Sequence, residues 1–253
     1  MKITKLFFFT YFIFSMIGCK NNNPTQLKKE NSSKTNNQEI TVAKRVDTIL
    51  IDGIANEKTW KESTWLPINQ VWMGKNLRTT TYKNGASINE DIHAGTGWHS
   101  YYNYDNDPAN VEIYGRLYNW YTVSDERGIC PVDFHIPSDD EYKELEMYLG
   151  LSQEEANAQS WRGTDEGGKM KDIGAEHWNS PNTGATNESG FTGLPAGWRH
   201  PSNGVYYEMN TVAFFWSSSE YDSYYAWNGV LYNELSVLGQ GANFNKLWVY
   251  RAA

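Results

Sequence analysis

The chain has 253 residues, with 22 basic side chains against 30 acidic ones and a formal net charge of −8. That balance excludes nucleic acid as the main partner, because such a partner calls for a basic face. Aromatic residues make up 15% of the chain, with 11 Trp and 17 Tyr, and 21 glycines are scattered along it. This composition implies a loop-rich domain whose core is built largely on rings.

The first 18 residues read as a leader. Lys2 and Lys5 supply positive charge, Leu6 to Ile17 is almost wholly apolar, and Gly18 precedes Cys19. That is the order of a secretory signal. Its apolar core of about twelve residues falls short of the roughly twenty that span a bilayer. Met16-Ile17-Gly18-Cys19 resembles a bacterial lipobox, which implies cleavage before Cys19 and a diacylglycerol thioether on its sulfur. An ordinary signal peptide or a short membrane anchor is the alternative. Several acyl chains on one residue anchor durably, where a single chain binds only marginally. On the lipoprotein reading Cys19 is unavailable for a disulfide, and Cys130, the one other cysteine, is a free, buried thiol. Loss of Lys2 and Lys5 with the leader leaves 20 basic against 30 acidic side chains, a formal charge of −10.

Residues 19–46 are expected to form a flexible tether. From Lys20 to Arg45 there is no aromatic residue, and Asn, Lys, Ser and Thr dominate. Such a segment cannot bury enough apolar surface to order itself, and a random chain of its length spans roughly 25–30 Å. Residues 47–65 read as an extra strand-and-turn segment: Ile49-Leu50-Ile51 is a short β-branched-rich run and Asp52-Gly53 a turn signal. Its string IDGIANEKTW resembles the opening of a family 9 carbohydrate-binding module over that short stretch alone. Further on, Asp105-Asn106-Asp107 reads as a turn whose side chains bond the backbone rather than as a calcium loop.

Helix signals are few. Ser138-Asp139-Asp140-Glu141 is a capping box, with acidic residues favoured at the helix start. Tyr142, Leu145 and Leu149 follow on one face, and Gly150 ends the helix. A second box, Ser152-Gln153-Glu154-Glu155, starts a shorter helix expected to run to about Ser160. Beyond Trp161 the chain is Gly, Asn, Ser and aromatics, with short apolar runs such as Val212 to Trp216, which is strand-and-loop chemistry. The expectation is an α+β domain over residues 66–253 with one or two capped helices, short twisted antiparallel strands and long loops.

Five blocks occur in order: QVWMGKNL (70–77), NDPANVEIYGRLYNWY (106–121), ICPVDFHIP (129–137), TGATNESGFTGLPAGWR (183–199) and FWSSSEY (215–221). Together they resemble the Fibrobacter succinogenes major paralogous domain. The resemblance implies a bacterial envelope lipoprotein with a C-type-lectin-like fold. The stretch FHIPSDDEYKELE (134–146) is also similar to a block of the formylglycine-generating enzyme group. Members of the first family end in a strand bearing a cysteine. Here the chain ends NKLWVYRAA (245–253), with Ala252 at the matching place if Arg251 matches the family's arginine. The resemblance therefore implies an orphaned Cys130 and a final strand that is frayed or altered.

No catalytic residues and no cofactor are implied. A formylglycine-generating oxidase would need a cysteine pair for copper. No His-Glu-x-x-His, Gly-x-Ser-x-Gly or phosphate-cradling loop occurs, and the five histidines are scattered, with His93 and His99 six apart and His135 inside a structural block. Ser180-Pro181-Asn182 and Trp227-Asn228-Gly229 echo the calcium loops of C-type lectins, but each lacks a carboxylate that a hard cation wants, so no metal site is expected. A metal-free binding face is expected from Tyr221, Tyr224, Tyr225, Trp227 and Asn228. Alternation there puts Tyr225 and Trp227 on one side of a strand, and rings with amide side chains suit stacking on a sugar or gripping a protein loop. Trp216 is expected in the core. The function expected is recognition of a polysaccharide or a surface protein by an outer-membrane lipoprotein, held to the membrane through lipid. A purely structural or adhesive role and a divergent formylglycine-generating-type enzyme are the alternatives.

Overall fold

The computed structural model describes residues 20–21, 50–51, 60–61, 63–66, 70–73, 75–90, 100–102, 107–201, 203–247 and 249–252. The leader, Cys19 and most of the segment expected as a tether lie outside the described residues. Early strands are β1 (Lys20–Asn21), β2 (Leu50–Ile51), β3 (Trp60–Lys61), β4 (Ser63–Leu66), β5 (Gln70–Met73), β6 (Asn89–Glu90) and β7 (Ser100–Tyr102). Then come α1 (Pro108–Tyr114), β8 (Leu117–Asn119), α2 (Trp120–Val123), α3 (Asp139–Leu149), α4 (Gln153–Asn157), β9 (Ser160–Arg162) and α5 (Glu166–Met170). The C-terminal part carries β10 (Trp198–Arg199), β11 (Tyr206–Tyr207), β12 (Val212–Glu220), β13 (Tyr225–Tyr232), β14 (Leu238–Asn245) and β15 (Val249–Ala252). The fold is α+β, with mostly antiparallel pairing.

The main sheet has ten strands, running β6-β7-β8-β15-β12-β13-β14-β9, with the β10–β11 pair attached through β15. The chain's last strand is thus central, not frayed. It pairs antiparallel with β8 (Tyr250 opposite Tyr118) and parallel with β12 (Phe215 opposite Arg251). A neighbour on each side satisfies its backbone groups, so the strand holds without the family's cysteine. The extra segment supplies β2 and β3, which pair only with each other, and β4, which joins β5. Lys20 and Asn21 also pair with β5, so the expected tether begins, contrary to its composition, with two residues in a strand.

β12 reads as a continuous apolar run because both of its faces are covered. Val212, Phe214 and Trp216 join one core cluster with Tyr82, Tyr118, Trp120, Ile129 and Phe134. Ala213 and Phe215 join another with Trp72, Trp178, Phe191 and the Tyr142, Leu145 and Leu149 face of α3. Rings carry that second cluster: Trp72 meets Tyr142 at 5.3 Å and Phe191 at 5.7 Å, and Phe191 meets Phe215 edge-on at 5.3 Å. Trp216 is fully buried, as its place in the apolar run implies.

Both capping boxes form, at Ser138 with Glu141 and at Ser152 with Glu155. The second helix stops at Asn157, short of Ser160, which begins β9 instead. Cys130 is buried as expected, but it is disulfide-bonded and not a free thiol. The chain's one other cysteine is Cys19. The free-thiol expectation assumed that the sulfur of Cys19 is spent on lipid, and without that thioether the two cysteines are free to pair.

Candidate functional site

The turn from β12 into β13 is built by its own side chains. The carboxylate of Asp222 accepts from the backbone NH of Tyr224 (2.7 Å) and of Tyr225 (2.8 Å), an Asx turn. Lys246, itself buried, reaches the turn from below. Its ammonium bonds the Glu220 carboxylate and the Asp222 carbonyl, and lies 4.6 Å from the Trp120 ring centre. The turn is therefore pinned on its inner side, and its rings stand outward. Tyr221 is 49% exposed, Tyr224 67% and Tyr225 37%.

The expected residues separate into three roles. Tyr221 and Tyr225 line an open groove of about 500 Å³ with Gln159, Ser160, Gln240 and Gly241. Trp227 is half-buried and props Tyr221 edge-on, with ring centres 5.2 Å apart. Tyr224 stands beside Tyr225 at 6.5 Å and does not line the groove. Asn228 is on the inner side of β13. It is buried, and its amide donates to the Gly241 carbonyl at 3.1 Å, so it braces β13 against β14 instead of facing a ligand. Alternation holds as read: Tyr225 and Trp227 are the more open positions, and Ala226 and Asn228 are buried.

A second, apolar pocket of about 170 Å³ also touches Ser160, Gln240 and Gly241 and adds Trp161, Val230 and Tyr232, which lie on the opposite face of the sheet from Tyr225 and Trp227. Trp161 lies over Gly239, where a Cβ would come within 2.7 Å of the indole. The missing side chain gives the ring its seat on the sheet. Tyr232 meets Trp161 edge-on at 5.5 Å. The candidate site is thus the trough edged by Tyr221 and Tyr225, and the Trp161–Tyr232 pair belongs to the pocket on the other face. Trp161, Tyr232 and Gln240 are absent from the sequence reading. Their one local signal is the pair of small residues, Gly239 and Gly241, inside β14.

A buried polar network stiffens the trough floor. Gln240 donates to Asp139 and accepts from Arg162, which also pairs with Glu146. Asp139 binds Lys143 at 2.7 Å, and its backbone NH donates to the Ser219 hydroxyl at 3.0 Å. Burial pushes the Glu146 carboxyl up to about 7, against the pull of Arg162. The network ties α3, β9, β12 and β14 together under the groove. Ser160, on the groove wall, has φ +80°, a conformation rare for a residue with a side chain.

The stretch that echoes a calcium loop is occupied by backbone bracing. Asn182 is buried and its amide donates to the carbonyls of Asp172 (2.9 Å) and Gly174 (2.8 Å). Among the described residues no group of three or more His, Cys, Asp or Glu could hold a metal ion. His135 bonds Glu141 at 3.0 Å, within the capping box, and His93 and His99 lie outside the described residues. Asp107 caps α1, accepting from Ala109 and Asn110, which is the backbone role its sequence context implied.

A family model, that of the Fibrobacter succinogenes major domain, matches residues 68–247. The chain belongs to this family. The match spans β5 through all of β14, so the trough and its supporting network lie inside the Fibrobacter succinogenes major domain. No curated protein and no solved structure matches the chain. No helix among the described residues is long and apolar enough to cross a membrane.

Proposed function

We propose that this Fibrobacter succinogenes major domain protein is a lipid-anchored, non-catalytic binding protein of the outer membrane that recognises a glycan chain along the trough. The observation that carries the reading is the trough itself: Tyr221 and Tyr225 stand over a wall of Gln159, Ser160, Gln240 and Gly241. Rings supply flat apolar faces with polar edges, suited to the CH-rich faces of sugars. Its volume of about 500 Å³ falls within the range of about 300–1,000 Å³ usual for small-ligand sites. Anchoring rests on the lipobox-like residues before Cys19 and holds for chains whose Cys19 carries lipid in place of a bond to Cys130. The fold is proposed to be C-type-lectin-like, supported by the return of the C-terminal strand to the middle of the sheet beside an early strand.

The test is a glycan array and an insoluble-polysaccharide pull-down with the full chain in detergent, with and without EDTA. Binding that survives EDTA and falls at least tenfold in both Tyr221→Ala and Tyr225→Ala is expected. Binding abolished by EDTA, or untouched by both substitutions, would overturn the reading.

A further inference from the structure

Among the described residues that line the trough, Asp222 alone carries a charge. It stands next to Tyr221 and three positions before Tyr225, and all three side chains are exposed. Its two carboxylate oxygens are used differently. Oδ1 accepts from the backbone NH of Tyr224 and of Tyr225, at 2.7 and 2.8 Å. Oδ2 accepts no hydrogen bond among the described residues. One oxygen therefore builds the turn, and the other is left for the solvent or a ligand.

The cations of the supporting structure each have a carboxylate already. Lys246 bonds Glu220, Arg162 pairs with Glu146, and Lys143 pairs with Asp139 at 2.7 Å. Asp222 makes no ion pair among the described residues. The Lys143 ammonium also lies 5.8 Å from the Trp227 ring centre, whereas no cation of the described residues stands over Tyr221 or Tyr225. Ring faces attract cations, and a carboxylate beside two such faces attracts the same charge. A sugar carboxylate would meet Asp222 with no cation in the lining to receive it.

We infer, on the glycan reading of the trough, that the chains it prefers are those of amino sugars with free, protonated amines. One ammonium sits against Oδ2 of Asp222 and the face of Tyr221 or Tyr225, and the chain runs along the wall of Ser160, Gln240 and Gly241. A neutral chain binds by its ring faces alone, and a uronic acid chain is repelled.

The experiment is calorimetric titration of the full chain in detergent, in weakly acidic buffer, with the tetramers of glucosamine, N-acetylglucosamine and galacturonate and with tetralysine. The glucosamine tetramer is expected to bind about tenfold more tightly than its acetylated counterpart, the worth of one exposed ion pair with one cation–ring contact. Galacturonate should bind most weakly. Asp222→Asn keeps the turn, because an amide oxygen accepts the same two NH groups, and should bring the two hexosamine tetramers to near parity. Glu112→Gln removes a charge from an exposed position on α1, outside the trough, and should keep the preference. Raised salt should erode the preference in the wild type. Equal binding of the two hexosamine tetramers, lost in Tyr221→Ala and Tyr225→Ala, would leave the trough a glycan site and overturn the amine preference. A preference that survives Asp222→Asn, or falls as far in Glu112→Gln, would assign it to the net charge of the chain and overturn it as well. Binding of no sugar would overturn both readings, and tetralysine bound through Asp222 in that case would put a protein side chain in the trough.

Discussion

Lys171→Met tests how the loops behind the sheet are held. Lys171 is fully buried, and its ammonium donates to the carbonyls of Thr183 (2.8 Å), Tyr232 (3.0 Å) and Leu235 (2.8 Å). In the variant the Tyr232 carbonyl keeps the Leu235 NH at 3.3 Å, but those of Thr183 and Leu235 lose this donor. Two orphaned carbonyls at about 2 kcal/mol each cost about 4 kcal/mol. Against this, burial pushes the lysine down to about 8 from an ordinary 10.5, so the buried charge costs about 3 kcal/mol at neutral pH that methionine avoids. The net loss at pH 7 is about 1 kcal/mol. Sign then gives the sharper test. Between pH 8 and 10.5 the unfolded chain holds a proton on Lys171 that the folded chain has released, so the wild type gains stability as pH rises. The neutral amine still donates two bonds. The gap over Lys171→Met should therefore widen by about 2 kcal/mol between pH 7 and 9.5. Urea unfolding followed by tryptophan fluorescence measures it. A gap that stays flat across that window would show that the carbonyls hold the proton at its ordinary affinity, and would refute the reasoning.

Glu146 works in the opposite direction. Its carboxyl, held at about 7 against an ordinary 4.5, keeps a proton in the folded state that the unfolded state has lost, so the wild type loses about 3 kcal/mol as pH rises through that interval. Glu146→Gln should gain on the wild type between pH 5 and 8 in urea titrations, and a constant difference would mean that Arg162 keeps the carboxylate charged throughout. Gly239→Val should lift Trp161 off the sheet, given the 2.7 Å approach, with a loss of stability of about 1–3 kcal/mol in urea unfolding. Unchanged stability would show that the indole repacks at no cost. The sulfur of Cys19 can carry a thioether or a disulfide but not both. Thiol counting on unfolded protein should thus find one free thiol in chains carrying lipid by mass spectrometry and none in chains that do not. A lipid-bearing chain without a free thiol would require a different partner for Cys130.

What was legible in the sequence is what local chemistry decides. Ser138 with Glu141, the Tyr142, Leu145 and Leu149 spacing and Gly150 set α3 from end to end. Helix α5, which holds Gly167 and Gly168, was not legible, because the chain beyond Trp161 read as strand and loop. They are glycines because neighbouring loops pass over them: a Cβ would fall 2.2 Å from the Val237 carbonyl at one and 2.1 Å from that of Gly184 at the other. Asp107-Pro108 read as a turn although a capping acid followed by proline also starts a helix, and seven residues of α1 follow it. The tyrosines of the trough were legible because they cluster within five positions. Gln240 was not, since only the β14–β9 pairing brings it beside Ser160.

The described strand at Lys20–Asn21 changes what a lipid on Cys19 would do. A free tether over residues 19–46 would hold the domain roughly 25–30 Å from the bilayer. With Lys20 opposite Trp72 and Asn21 opposite Val71, the anchored residue is instead the immediate neighbour of a strand on β5. Trp72 on that strand is buried against Tyr142 of α3, so the attachment point is continuous with the domain's core. A lipid there would hold β5 against the membrane surface. Which arrangement holds is decided by the two-residue ladder, whose few backbone bonds are worth about 1 kcal/mol each. That is small enough for the anchored protein to exchange between a membrane-hugging form and an extended one, and fluorescence energy transfer from labelled lipid to a probe at Tyr148, an exposed position on α3, would show two distances. A single long distance would mean that β1 does not persist once Cys19 carries lipid.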